Sequence, residues 1–301
     1  MPPPDAAMEA FARQRPRLLR LAYRMLGSSA EAEDILQEAW IRWQGAADRA
    51  AVQSPPAFLT RVVTRLCLDQ LGSARARRES YVGSWLPEPL YEPELDEMRA
   101  DEITLTLMLA LERLSPLERA AFLLHDVFEV PLPDVAAALG RDPAAARQLA
   151  ARARAHVKEA RPRYSVAPAE GERIAAAFFR ASSTGDVAAL RGLLAEGVVL
   201  QADGGGKVAA FLNPILGLEK ALRLFAGLAR KPRHEPAEFL RACRIDGLPG
   251  YVSRERGGVL QTTALAIEEG RITAIYITRN PEKLRQVAAA LAATPPGGPL
   301  S

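Results

Sequence analysis

The stretch "WLPEPLYEPELD", residues 85–96, carries prolines at 87, 89 and 93 and reads as a linker between two helical stretches. Proline has no amide hydrogen and a fixed φ, so no helix runs through such a segment. On its N-terminal side, residues 6 to about 72 read as helix throughout. "SSAEAEDILQEAWIRW" offers Ser28 as a cap with Glu31 three residues on, and Ala32, Ile35, Leu36, Ala39 and Trp43 then recur at helical spacing. A second helix begins at Ser54-Pro55, with Leu59, Val62, Val63 and Leu66 as its apolar stripe and Arg61, Thr64 and Arg65 on another face. It leads into Arg75, Arg77 and Arg78, a run suited to phosphate contact.

Helical periodicity returns beyond the prolines, from Asp101 to about Arg163. Ser115-Pro116-Leu117-Glu118 is a capping box with proline in the first turn. "PLPDVAAALG" stops at Gly140, and "RDPAAARQLAARARAHVKEA" restarts with Asp142 as cap. Two helices around a short glycine-containing turn predict a helix-turn-helix. From Arg141 to Arg163 seven basic residues stand against Asp142 and Glu159, and Arg147 and Gln148 occupy the turn that reaches base edges in a major groove. The net charge of the whole chain is only +3, so nucleic-acid affinity has to come from local patches of this kind.

After a second linker, "RYSVAPAEG", the period changes. Two helices (about 170–183 and 186–194) precede strand-like runs interrupted by a helix at about 217–229, and "NPEKLRQVAAALAA" closes as a helix. Helices followed by mostly antiparallel strands predict an α+β domain. Within it "DGGGKV", 203–208, resembles a phosphate cradle at first sight. A Walker loop needs Ser or Thr after its lysine and then a helix. Here Val208 follows Lys207, and the flanks "GVVLQAD" and "KVAAFL" read as strands, so a hairpin tip is expected.

Hydrophobic content of 49% with 25% charge fits an ordinary globular chain. Cys67 and Cys243 lack a CxxC spacing, which argues against a disulfide framework or thiolate metal site and favours a reducing cytoplasm. No window reaches the ~18 apolar residues of a membrane span. His125 and Cys67 read as helix-core residues, His156 as a surface residue and His234 as a loop residue. Glu31, Asp34 and Glu38 share a helix face with no histidine or cleft signal nearby, which suits an acidic contact face rather than acid–base chemistry. No catalytic, metal or cofactor set is expected.

"EDILQEAWIRW", "PPAFLTRVVTRLCLDQLGSARARRE", "LSPLERAAFLLHDVF" and "ALGRDPAAARQLAARARAHV" resemble, in that order, regions 2 and 4 of the extracytoplasmic-function sigma factors. "YVGSWLPEPL", "DGGGK" and "NPEKL" resemble the distinguishing stretches of a subgroup with a fused SnoaL-like extension. The resemblance implies a multidomain chain: an all-α region 2 (1–72), a Pro-rich linker (73–100), an all-α region 4 (101–163), a short linker (164–169), an α+β SnoaL-like cone (170–292) and a disordered tail (293–301). It implies core RNA polymerase (β′ coiled coil and β flap) and promoter DNA as partners, with a small ligand of the extension left open. A one-component DNA-binding sensor is the alternative.

By position the resemblance assigns Asp34, Gln37, Glu38 and Trp40 to polymerase docking and loop 44–54 to a flipped base. Arg61, Thr64, Arg65, Arg75, Arg77 and Arg78 fall to the −10 element, and Arg141, Arg147, Gln148 and Arg152 to the −35 element. Ala146 stands where the family commonly has a branched residue. Trp85, Leu86, Pro87, Glu88, Pro89, Asp203, Gly204, Gly205, Gly206, Lys207, Asn280, Pro281 and Lys283 are expected to dock the extension against the sigma core.

Overall fold

The computed structural model describes residues 4–45, 52, 54–79, 81–92, 104–158, 166–230 and 237–293. The chain forms two compact units, one from residues 1–80 and 107–160, the other from 81–106 and 161–301. Each unit is therefore built from two separated pieces of chain.

The first unit is helical: α1 (Pro4–Leu26), α2 (Ser29–Gly45), α3 (Pro55–Glu79), most of α4 (Leu105–Leu111), α5 (Pro116–Phe122), α6 (Leu132–Leu139) and α7 (Pro143–Val157). Ser28 Oγ accepts from the Glu31 amide at 3.2 Å at the start of α2. Ser115 and Glu118 complete the reciprocal capping box of α5. The Ser115 hydroxyl holds the Glu118 carboxyl below its usual range. A π-helical turn, Leu123–Val127, follows α5 directly.

Leu18, Leu21, Met25, Leu36, Leu59, Val63 and Cys67 are fully or nearly fully buried in this unit, and burial pushes the Cys67 thiol up. Each such aliphatic side chain contributes about 1.5–3 kcal/mol. Arg119 of α5 is buried too. Its guanidinium donates to the carbonyls of Met25 (2.7 Å) and Leu111 (3.0 Å) and pairs with Glu112 at 2.7 Å. Desolvation lowers its pKa to about 10. It caps the C-terminal end of α1 from a helix 94 residues away in sequence.

The second unit contains β1 (Tyr91–Glu92), α8 (Pro168–Thr184), α9 (Val187–Leu193), β2 (Leu194–Asp203), β3 (Ile215–Leu216), α10 (Leu218–Arg230), β4 (Glu238–Ile245), β5 (Leu248–Glu255), β6 (Val259–Glu268), β7 (Arg271–Thr278) and α11 (Arg285–Ala293). The seven strands form one sheet in the order β1-β4-β5-β6-β7-β2-β3, antiparallel except for the β2–β7 pair. Register shifts in β2, β4 and β6 bend the sheet.

Helices α8, α9 and α10 lie against one face of it. Phe178, Leu190, Leu222 and Phe225 bury there with Val198, Leu200, Leu265 and Ile275. Phe179, Phe239 and Tyr251 join as a mutual aromatic trio with centroids 5.1–5.5 Å apart. This is an α+β fold, with the helices on one face of a bent, mostly antiparallel sheet.

Three expectations need correction. α3 runs to Glu79, past the boundary expected at 72. Tyr81–Glu92, within the segment taken as a linker, belongs to the α+β unit, where the Leu86 and Leu90 amides bond carboxylates 117 and 156 residues along the chain. "KVAAFL" is not a strand. β2 ends at Asp203, the chain from Gly204 to Pro214 is irregular, and only Ile215–Leu216 pair back with β2.

Candidate functional site

Asp203 ends β2 opposite Thr278 of β7, and its own carbonyl accepts from the amides of Arg279 (2.7 Å) and Asn280 (3.0 Å). These bonds fix the side chain, which is fully buried. Four donors converge on its two carboxylate oxygens. The Tyr81 hydroxyl (2.6 Å) and the Gly205 amide (3.0 Å) reach Oδ1; the Leu86 amide (2.9 Å) and the Lys283 ammonium (2.7 Å) reach Oδ2. A carboxylate has about four lone-pair sites, so this one is saturated.

The same ammonium also donates to the Leu86 carbonyl and lies over the rings of Tyr81 (4.8 Å) and Trp85 (4.4 Å). Asn280 Nδ2 donates to the Tyr81 oxygen at 2.8 Å. Burial first, and then the hydrogen bond to Asp203, push the Tyr81 hydroxyl pKa up. Leu86, Pro87 and Pro89 are buried beside this cluster, so the prolines act as packed, pre-shaped chain.

The glycines are required by close approach. A Cβ on Gly205, at φ +61°, would stand 2.3 Å from Asn280 Nδ2, and one on Gly204 would stand 2.1 Å from the Val208 carbonyl. Lys207 does not join Asp203. It pairs with Glu282, an exposed contact that lowers the Glu282 pKa. The ammonium on Asp203 is therefore that of Lys283 in "NPEKL". Pro281 is exposed in the turn that brings Lys283 round, and Glu88 is half-buried. Trp85, Leu86, "DGGG", Asn280 and Lys283 meet one another inside the α+β unit, so linker and extension are in contact.

A second anchor was missed in sequence. Asp246, also fully buried, sits at φ +47° in the β4–β5 turn. Its carboxylate accepts from the Leu90 amide (3.2 Å), its amide donates to the Leu90 carbonyl (3.1 Å), and its carbonyl accepts from the Leu105 amide (3.0 Å). The only local signal is Asp-Gly between strands, which turn formation explains equally well.

The helical unit carries the other expected surfaces. Asp34 and Gln37 are exposed on α2, in line with Ile41, which is 60% exposed. Glu38 pairs with Arg42 at 2.9 Å, and Trp40 is half-buried against Phe11. On α7, capped by Asp142 onto the Ala145 amide at 2.8 Å, Arg147, Gln148 and Arg152 are exposed, as is Arg141 just before it. Ala146, Ala150, Ala153 and Val157 form the buried side of α7, and Leu149 beside them is half-exposed.

The −10 set is only partly presented. Thr64 is fully buried and donates to the Thr60 carbonyl at 2.7 Å, so its hydroxyl is not available to DNA in this arrangement. Arg65 donates to the Ala137 (3.3 Å) and Ala138 (3.4 Å) carbonyls at the end of α6. Arg61 lies over Phe58. Arg75, Arg77 and Arg78 fall on the last turns of α3, their side chains outside the described residues, as are most of loop 44–54 and the tail from 294. His125 Nδ1 lies 3.1 Å from the Val130 carbonyl, a local contact after the π turn, and His234 is outside the described residues. No group of three or more metal-ligating side chains occurs among the described residues. No helix among them is long and apolar enough to cross a membrane.

A helical unit with an acidic face and a basic helix-turn-helix, joined to a sheet domain that grips the segment between its two helical pieces, defines a multidomain DNA-binding transcription factor. The sequence matches the profile of Sigma-70 region 2 over residues 10–77 and that of Sigma-70, region 4 over residues 104–157. It is 37% identical over 292 residues to the ECF RNA polymerase sigma factor SigJ of Mycobacterium tuberculosis, covering 91% of each chain. It is 34% identical over 300 residues to the probable ECF RNA polymerase sigma factor SigI of the same species, covering 95% of this chain and 98% of the relative. The crystal structure of the M. tuberculosis SigJ superposes with a TM-score of 0.74 at 33% identity, over 92% of this chain and 98% of that one. The chain belongs to the ECF RNA polymerase sigma factors, and is an alternative sigma factor that works with core RNA polymerase at promoter DNA.

Proposed function

We propose that the α+β domain regulates this sigma factor in cis, by gripping the segment that joins regions 2 and 4, and that it does so by binding rather than by catalysis. The observation carrying this reading is the buried Asp203 cluster, in which one carboxylate holds Tyr81 and Leu86 of that segment together with Lys283. In this reading Asp34, Gln37, Glu38 and Trp40 form the docking face for the β′ coiled coil, and region 4 meets the β flap. Arg141, Arg147, Gln148 and Arg152 read the −35 element; arginine on a guanine edge contributes about 1–3 kcal/mol of discrimination. Arg61 and Arg65 serve the −10 element. Arg65 reaches DNA only after it leaves the α6 carbonyls, so the arrangement described is a resting one. The protein acts in the cytoplasm, where core polymerase and promoter are.

Transcription in vitro tests this directly, with purified core polymerase and a promoter selected from random DNA by the full-length protein. Asp34→Ala/Glu38→Ala is expected to lose core binding, and Asp203→Asn to change promoter output while keeping core affinity. Equal output from Asp203→Asn and wild type would remove the regulatory role. Point variants are preferable to truncation after Arg163, which would also strip Tyr81–Thr106 of its partners.

A further inference from the structure

The irregular chain after Asp203 and the start of the gripped segment enclose a cleft that the Asp203 cluster does not fill. Its volume is about 260 Å³, and its walls include Val82 and Gly83 on one side and Val208, Phe211 and Leu212 on the other, with Lys207 at the rim. Val82 and Leu212 are 55% and 59% exposed, unusual for large apolar side chains that face a shared concavity. We infer that this cleft is a binding site for a small amphipathic molecule carrying one carboxylate, and that its occupancy stabilises the gripped state of the linker.

Size, polarity and charge each limit the occupant. An apolar cavity of about 150 Å³ accommodates benzene, so this volume suits roughly ten heavy atoms. The lining combines the side chains of Val82, Val208, Phe211 and Leu212 with as much polar surface from exposed backbone and Lys207, which selects an amphipathic occupant. Among the lining residues the cation is Lys207. Its present partner is Glu282, but both side chains are about half exposed (46% and 53%), and an ion pair of that kind contributes little. An ammonium has three donors, so it can hold Glu282 and a ligand carboxylate together.

The coupling follows from how the walls are made. A Cβ on Gly206 would stand 3.2 Å from Val82 Cβ, and one on Gly83 would stand 3.4 Å from Leu212 Cδ2, so linker and loop are in close approach at two points. Val82 follows Tyr81, which is bonded to Asp203. When the linker leaves, one wall of the cleft leaves with it. A ligand that needs both walls binds only the gripped state and favours it by mass action. The inference rests on the reading of Asp203 as the regulatory grip, and it assigns that grip a chemical input.

The test uses the full-length protein with octanoate as the probe and octan-1-ol as its uncharged counterpart. Octanoate is expected to bind saturably by calorimetry, with octanol weaker by about tenfold. Lys207→Gln is expected to remove that difference. Leu212→Trp, which fills the cleft from its wall, is expected to abolish binding. At ten times its Kd, octanoate should slow Leu86 exchange about tenfold. No saturable binding up to about 10 mM, binding unaltered by Leu212→Trp, or unmoved Leu86 exchange at saturation would each overturn the inference. Octanoate binding with normal transcription from Asp203→Asn would retain the site and remove the regulatory reading. The reverse result would retain the grip and remove the site.

Discussion

Replacing Asp203 by Asn is the most informative single change, because shape is kept and charge is lost. The carboxylate is fully buried, and its ion-pair partner Lys283 is only 10% exposed. Removing one partner of a buried pair costs about 3–5 kcal/mol, and the amide keeps one acceptor oxygen, so a loss of about 2–4 kcal/mol from the grip is expected. That corresponds to amide exchange faster by roughly 30- to 1000-fold. Two reporters separate local from cooperative release. The Leu86 amide bonds Asp203 itself, whereas the Leu90 amide bonds Asp246 and senses Asp203 only if the segment undocks as a unit. Lys283→Met should be similarly disruptive, and combining it with Asp203→Asn should recover about 1–3 kcal/mol relative to additivity. Exchange at Leu86 within threefold or so of wild type, or strict additivity in the double variant, would refute the electrostatic account of the grip.

Other perturbations address its remaining parts. Tyr81→Phe removes a hydroxyl bonded to both Asp203 and Asn280 and should weaken the grip by about 1–3 kcal/mol, read from Trp85 fluorescence and Leu86 exchange. The folded-state pKa of Tyr81 is raised, so its contribution is fully present below the unfolded value of about 10 and declines as pH rises beyond it. An alkaline loosening beginning near pH 10 should be reduced in Tyr81→Phe. Gly205→Ala combines the clash with Asn280 and a left-handed φ, and should release the linker with Asp203 intact, by the same exchange measurement. Arg119→Met leaves Glu112 without its buried partner and should lower the stability of the helical unit by about 3–5 kcal/mol in urea titration, partly restored by Glu112→Gln.

Legibility in the sequence followed the range of the interactions. The Ser115–Glu118 box, the Gly140 stop and the Asp142 cap involve residues at most four apart, and each is where periodicity and capping chemistry placed it. The exposed face of α7 followed from the same local spacing. Asp203 was singled out, but beside three glycines its chemistry read as a turn, because its partners Tyr81 and Leu86 lie 122 and 117 residues away. Thr64 shows the opposite failure: a polar residue on the expected face turned inward to bond its own helix. The sequence signal for Arg119 is a charge leading the buried run Ala120–Ala121–Phe122.

The interleaving of the two units also sets an order of events during synthesis. Leu86 emerges from the ribosome 197 residues before Lys283, the side chain that holds its carbonyl. At about 5–20 residues per second, that interval is roughly 10–40 s. Both pieces of the helical unit are complete well within it, since that unit ends near residue 160. A newly made molecule therefore passes through a period in which both helical pieces exist and the Asp203–Lys283 cluster does not.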